Sequence, residues 1–395
     1  MNTTSVICFI VFLLNPLFGC FLFLLTLFNH EKLSIFFISL FAGILAYNLV
    51  PYDTMDLASH YMKFSELHNM SVSDIWSDGV NIFLYLCMKC LNAAGINKEW
   101  LPFIATFIGY YILLNALRNN IPAYWCRKEK MICFIIWLLS ISFLSLSNGI
   151  RSGLSSAFFI YAVICQRNYK HLSFIIYSVL ACMMHSFAIP MVILLFSMPL
   201  ILKRKMLSQR FFKIAIIMSV SLSFLVDINS LIVFIFNNLS FLPYIDQIYN
   251  IYIIGDRWGG GASFDTNTFI ARLITQAPFF YCILVLLISK RKDDFFILGA
   301  ILVSVSLFLS QFWVVSERYQ YVSVLLVTLH LIFNNEYFLL RRKIIILLYF
   351  VIQTAVLIWG LYRFRYMILP SLEFIIYPFL FCFYNTVDMN KLIKV

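Results

Sequence analysis

MICFIIWLLSISFLSLSNGIRSGLSSAFFIYAVIC, residues 131–165, is the stretch on which the fold turns. Two apolar runs, MICFIIWLL and AFFIYAVIC, flank a serine-rich turn that contains Asn148, Gly149 and Arg151. Runs of about 20 apolar residues are long enough, as helices, to cross a hydrocarbon core of about 30 Å. The pattern predicts membrane spans near 131–147 and 152–166, with Arg151 at the bend between them. A charge near the bilayer centre costs about 2.5–3.5 kcal/mol even on lenient scales. One explanation is an arginine snorkelling to lipid headgroups. The other is anion recognition, because guanidinium presents a planar fork that matches phosphate or carboxylate.

The same alternation of apolar runs and short polar turns fills the chain on both sides. Of 395 residues, 62% are hydrophobic and 12% charged, and the mean hydropathy is +0.90. Soluble domains carry about 25% charged residues. The expectation is an all-α, polytopic membrane protein with about 11–14 transmembrane helices and a cavity facing the outer leaflet. Further spans are expected near 5–28, 33–50, 101–117, 211–226, 268–289, 295–314, 320–338, 344–361 and 371–386. The run 172–202 is too long for one crossing and, with Pro190 near its middle, could form two short helices meeting near His185. The run 81–94 is short for a crossing, and 230–242 reads as an interfacial helix. No stretch outside the runs suits a soluble domain, so one membrane domain over 1–395 is expected, with larger outer-side loops at 51–80 and 243–267. The ten cysteines are scattered as small buried hydrophobes. Cys87 and Cys90 form a CxxC with no second pair, so no metal and no cofactor is expected.

The net charge of +11 does not point to nucleic acid, because of where the charges fall. Basic clusters at Arg118–Lys130, Arg167–Lys170, Lys203–Lys213, Lys290–Lys292 and Arg341–Lys343 can all face the cytoplasm if 172–202 crosses twice and 81–94 does not cross. Beyond residue 100, the basic residues left for the outer side are Arg151, Arg257, Arg272, Arg318, Arg363 and Arg365, without a lysine. Most acidic residues fall on that side too.

Five groups there could carry chemistry. In VPYDTMDLASHYMKFSELH, residues 50–68, Asp53, Asp56, His60 and Lys63 are spaced for one helical face. Asp53 and Asp56 suit an N-cap and a first-turn acid. They equally suit carboxylates that take hydrogen bonds or a proton from sugar hydroxyls. Ser147, Arg151 and Ser155 share a face if the helix continues through the turn, and small residues admit a close neighbour. His185, in LACMMHSFAIP, is either a hydrogen-bonded core histidine or a proton-transfer group near neutral pH. In VVSERYQYVS, residues 314–323, Glu317 and Arg318 are either a capping pair or part of a phosphate site, with Tyr321 one turn on. The loop 244–267 carries tyrosines, Arg257, Trp258 and three consecutive glycines. It reads as a surface loop or as a lid with flat, sugar-stacking groups.

The order of these motifs resembles the EpsG/Wzy-type bacterial polysaccharide polymerases: YDTMDLASHY, then NGIRSGLSSAFFIYAVICQRNYK, then CMMHSFAIP, then SERYQYV. Ser152 stands where that family commonly has glutamine after the arginine. The resemblance implies a glycosyltransferase of the bacterial inner membrane with its active site toward the periplasm. Its substrate would be an undecaprenyl-pyrophosphate-linked oligosaccharide, met at the membrane lipid surface, and a chain-length regulator protein is a possible partner. It implies Arg151 and Arg318 on the pyrophosphate, with Arg257 or Arg272 as helpers and Tyr321 and Trp258 on the sugars. His185 would be the base or orienting group, followed by Asp53 or Asp56. The alternatives are a flippase or transporter of the same lipid-linked unit, an O-antigen ligase, and a non-enzymatic scaffold. A transporter predicts repeated halves, and none are seen. The ligases carry a longer outer loop.

Overall fold

The computed structural model describes residues 3–27, 31–77, 82–122, 124–203, 208–225, 230, 234, 238, 266–334, 340–383 and 392. Their regular structure is helical, and the protein is a polytopic membrane protein. The chain forms two compact units, residues 1–188 with 358–395, and residues 189–357. Helices Trp100–Arg118, Ile270–Ile288 and Ile344–Arg363 are long and apolar enough to cross a membrane, and six shorter apolar helices accompany them among the described residues.

The first unit begins with α1 (Thr3–Leu14) and α2 (Pro16–Leu25). The run 5–28, expected as one span, is therefore two short helices. Pro16 has no N–H to continue α1, and Asn15 caps α2 by accepting from Phe18 N at 3.1 Å. The two helices fold back on each other so closely that a Cβ at Gly19 would lie 2.2 Å from Phe12 Cα. Phe12, Phe23 and Phe37 seal the joint, the last two stacked at 4.4 Å.

Phe37 belongs to α3 (Glu31–Tyr47), which packs along α7 (Trp100–Arg118). Between them in sequence come α4 (Asp56–Glu66), α5 (Val72–Ser77) and α6 (Ile82–Ala93). The 12 residues of α6 reach about 18 Å, well short of a bilayer core. The stretch 131–165 divides further than expected. α8 (Arg127–Ser140) stops at Ile141, α9 (Phe143–Ser147) is capped by Ser142 accepting from Ser145 N at 3.1 Å, and α10 (Ile150–Arg167) starts after Asn148 and Gly149. Trp137, fully buried, fastens α8 to α7 by donating to Leu113 O at 2.7 Å. Gly153 explains the tight fold-back of α9 on α10, since a Cβ there would sit 2.1 Å from Ser145 O.

α11 (His171–Met184) and α12 (Ala188–Lys203) are the two helices foreseen in 172–202, with the break at His185–Phe187. α18 (Arg365–Phe374) follows α17 (Leu340–Arg363), and a final turn of 3₁₀ helix spans Phe379–Phe383. Phe383 stacks on Trp100 at 5.1 Å, and Asn48 donates to Cys382 O at 2.9 Å.

The second unit holds all of α12 but Ala188, α13 (Gln209–Leu225), α14 (Thr266–Ile288), α15 (Asp294–Phe308), α16 (Trp313–Phe333) and most of α17. A polar latch ties its helix ends. His330 bridges Ser289 Oγ and Asp293 Oδ1, each at 2.9 Å, while Asp293 caps α15 through Phe296 N at 2.7 Å. The order Ser–His–Asp is that of a nucleophile triad. Here Ser289 is fully buried, its hydroxyl also lies 3.1 Å from Arg291 O, and its carbonyl accepts from Gln209 at 2.6 Å and Lys213 at 2.7 Å. No substrate reaches that hydroxyl, so the cluster fastens helices. Deeper along α16, Thr328 Oγ1 and Gln353 Nε2 meet Tyr349 Oη at 2.5 and 2.7 Å.

Candidate functional site

In the first unit, the basic residues Arg118 and Arg167 lie at the C-terminal ends of α7 and α10, and Arg127 begins α8. The opposite end holds the start of α10, the end of α11 and helix α4.

α10 supplies Arg151, two residues into its first turn. Ser155, one turn later, is buried and donates to Ala181 O of α11 at 2.8 Å. Residues i and i+4 share a helical face, so Arg151 stands on the flank of α10 turned toward α11. The helices run antiparallel, with Tyr161 against Tyr177 at 4.5 Å nearer the basic end. Arg151 and His185 are each four residues beyond the Ser155–Ala181 bond, about 6 Å of rise, and so lie level on neighbouring helices. Ser147 does not join that helical face as expected. It closes α9, because Asn148 and Gly149 interrupt the helix.

His185 is buried, with extended backbone angles that end α11. Its Nδ1 accepts the Phe187 N–H at 3.3 Å, and its ring meets the Phe187 ring edge-on at 5.1 Å. A neutral imidazole whose Nδ1 accepts carries its proton on Nε2. In this tautomer the outer nitrogen is a donor.

α4 arrives from the other side. Asp53 does not cap it as expected, because Met55 is the N-cap, with no side-chain cap bond, whereas Asp56 opens the helix as its first-turn acid. The acceptor comes from elsewhere: Asn148 Oδ1 takes the Leu57 N–H at 3.0 Å, so the turn before Arg151 holds the start of α4. Asp53 lies in the preceding turn and is exposed, while Asp56 is half-buried. Among the described residues neither carboxylate makes a hydrogen bond or ion pair. The single helical face expected for Asp53, Asp56, His60 and Lys63 keeps its last three members.

His60 is buried within the field of Arg151. Burial first, and the Arg151 charge second, push its imidazole down to about 3 from an ordinary 6.5. It is a neutral ring at any physiological pH. Beneath α4, Tyr61 is fully buried under Lys98, whose Nζ is 5.5 Å from the ring centroid. Burial, followed by the nearby Glu99 and Tyr47, raises the Tyr61 hydroxyl well above its usual range. Among the described residues that hydroxyl has no hydrogen-bond partner.

The end of the chain adds a group that the residue patterns did not single out. Val50 N donates to Met367 O at 3.3 Å, which brings the start of α18 beside the acidic turn. Arg365 there donates to Tyr362 O at 2.9 Å and lies over the rings of Tyr362 and Tyr366 at 4.7 and 4.5 Å. Asn148, His60 and Arg365, which the sequence named beside the candidate residues without giving them a role, thus join the site. The pointers in sequence were the Asn-Gly turn, the helical spacing of His60 and the lysine-free set of outer arginines.

In the second unit, the Arg272 guanidinium carbon lies 3.8 Å from the centroid of the Trp313 ring, which opens α16. Cation–π contacts of this kind hold an arginine plane in place. Arg318 and Tyr321 follow in the first turns of α16, half-buried. Ser316 pins that start by donating to Ser306 O at 2.7 Å. Arg257, Trp258, residues 243–265 of the expected loop and most of 230–242 lie outside the described residues, and 266–267 already belong to α14.

These features define a class: a helical membrane protein whose first unit gathers Arg151, Arg365, His60, His185 and the acids Asp53 and Asp56 at the end away from its basic residues. Residues 31–379 match the EpsG family, and the chain belongs to it. That is a family of Wzy-type polysaccharide polymerases. Comparison with curated proteins and with solved structures returns no match.

Proposed function

We propose that this protein polymerises a polysaccharide by moving the growing glycan from undecaprenyl pyrophosphate to the non-reducing end of a second lipid-linked repeat unit. The reaction is assigned to the periplasmic face of a bacterial inner membrane. The observation that carries this reading is the placement of Arg151 level with His185 and against helix α4, which bears Asp56 and His60 and follows the turn of Asp53. Excess lysine and arginine mark cytoplasmic ends, so the opposite end of the first unit is the periplasmic one.

The roles follow from the chemistry of the groups. Arg151 holds the donor pyrophosphate with two parallel N–H bonds and offsets the charge that grows on the leaving oxygen. Arg318 and Arg272, in the second unit, are assigned to phosphate binding, and Arg257, Trp258 and Tyr321 to sugar contacts. The acceptor hydroxyl oxygen attacks the anomeric carbon, and the carbon–oxygen bond to pyrophosphate breaks with its electron pair. Asp53 or Asp56 takes the hydroxyl proton. His185 orients a substrate oxygen by donating from Nε2, since its Nδ1 is engaged. Neutral His60 flanks Arg151 without competing for the anion. A chain-length regulator protein is a fitting partner for such an enzyme.

The test is a strain lacking this gene, complemented with wild type or Arg151→Ala at matched expression. A surface-glycan ladder that collapses to a single repeat unit in the null and in the variant is expected. Complete loss of surface glycan in the null would point to a flippase or ligase. An unchanged ladder in the variant would remove Arg151 from the site.

A further inference from the structure

At the basic end of the first unit, far from Arg151, a cavity of about 280 Å³ opens between α3, α7 and α8. It is smaller than the roughly 300–1,000 Å³ typical of pockets for drug-sized ligands. It cannot hold a lipid-linked oligosaccharide.

Its lining has two halves. Leu27, Ile35, Ile121 and Phe134 form an apolar floor, and Glu31, Arg118 and Lys130 form a charged rim. Arg118 Nε lies 3.4 Å from Glu31 Oε2, and its Nη1 donates to Asn115 Oδ1 at 2.9 Å. The second Nη group is left for a ligand. Lys130 is half-buried and, among the described residues, has no ion pair or hydrogen bond of its side chain. Glu129, the nearest other acid on α8, is engaged by Cys126 N at 3.0 Å. The rim therefore offers two cations and one carboxylate around a hole floored with hydrocarbon.

We infer that this cavity binds the headgroup of a glycerophospholipid that carries both a phosphate diester and a primary ammonium, as phosphatidylethanolamine does. The phosphate sits between Arg118 and Lys130, the ammonium donates to Glu31, and the first methylenes lie on the apolar floor. A purely anionic headgroup meets the Glu31 charge without offsetting it. Free phosphate leaves the apolar half of the cavity to water, which the hydrophobic effect disfavours. Basic pockets between membrane helices are known to hold lipid headgroups. The added feature here is a carboxylate placed to read the ammonium.

The experiment uses the full-length protein, delipidated in detergent and then given matched-chain phosphatidylethanolamine, phosphatidylcholine or phosphatidylglycerol, with bound lipid counted by native mass spectrometry. Wild type should retain phosphatidylethanolamine over phosphatidylcholine, whose quaternary nitrogen has no N–H to donate. Lys130→Gln should weaken retention of all three roughly fivefold. Glu31→Gln should keep lipid binding and abolish the preference for ethanolamine over choline. Glu31 is partly exposed, so this variant tests the idea without demanding that a buried charge be removed. Competition by millimolar inorganic phosphate as effective as by added lipid would overturn a lipid as the ligand. Phosphatidylglycerol retained as well as phosphatidylethanolamine, with no effect of Glu31→Gln, would overturn the ammonium reading.

Discussion

Asn148 is where the two motif-bearing segments of the first unit join, and Asn148→Ala tests whether that joint matters. Its Oδ1 is the side-chain acceptor for Leu57 N–H at 3.0 Å, in the first turn of α4. That N–H is one of the donors that a helix start leaves without an intrahelical partner. Leu57 is fully buried, and the bond itself is part-buried. Alanine removes the acceptor and leaves the donor, at a cost of about 1–3 kcal/mol for a buried group, with capping losses typically near 1. Taking about 1–2 kcal/mol and about 2–4 °C per kcal/mol, the thermal midpoint in detergent should fall by about 2–8 °C. Asn148→Asp restores an acceptor at the same place and a charge that suits a helix N-terminus, so its midpoint should stay near wild type. Glycan ladders run in parallel should shorten in the alanine variant, because α4 is no longer held against Arg151, and recover in the aspartate variant. An alanine variant with an unchanged midpoint and an unchanged ladder would refute the joint. A fall in midpoint that aspartate fails to reverse would mean that the asparagine N–H₂, not its oxygen, is the stabilising group.

Arg151→Lys keeps the charge but loses the planar fork, so polymerisation should drop at least tenfold in a ladder assay while the protein accumulates normally. Full activity would exclude two-point recognition of phosphate. His60 is held neutral, with its folded value near 3 against 6.5, so the unfolded chain binds the extra proton between those values. The stability it contributes is present above about pH 6.5 and is lost, by up to a few kcal/mol, as pH falls toward 3. His60→Asn should flatten that part of the pH–stability profile, and an unaltered slope would assign the acid sensitivity elsewhere. His330→Phe removes two 2.9 Å hydrogen bonds of a fully buried ring. It should cost about 2–4 kcal/mol and raise hydrogen exchange at the ends of α14 and α15. A triad role would instead predict that Ser289→Ala abolishes activity, whereas the latch predicts that it is retained.

Composition and run length were enough to establish a helical membrane protein, because a lipid-spanning backbone must satisfy its own hydrogen bonds and helices do this within one segment. The charge pattern likewise separated a basic side from an arginine-bearing one, and the spacing of Pro190 and His185 foretold the break between α11 and α12. Local sequence did not reveal which apolar runs are divided. Residues 5–28 read as one span, yet Pro16 and the Gly19–Phe12 contact turn them into a hairpin, and Ser142 and Asn148 cut 131–165 into three helices. The site depended on tertiary structure most of all. That Asn148 would cap a helix 91 residues away, that Arg151 would lie level with His185, that burial, with the Arg151 charge second, would keep His60 neutral, and that α18 would bring Arg365 to the same end are facts of packing. Periodicity specifies which face of a helix a residue occupies. The neighbour that face meets is chosen by close contacts such as those at Gly153 and Ser155, whose partners are remote in sequence.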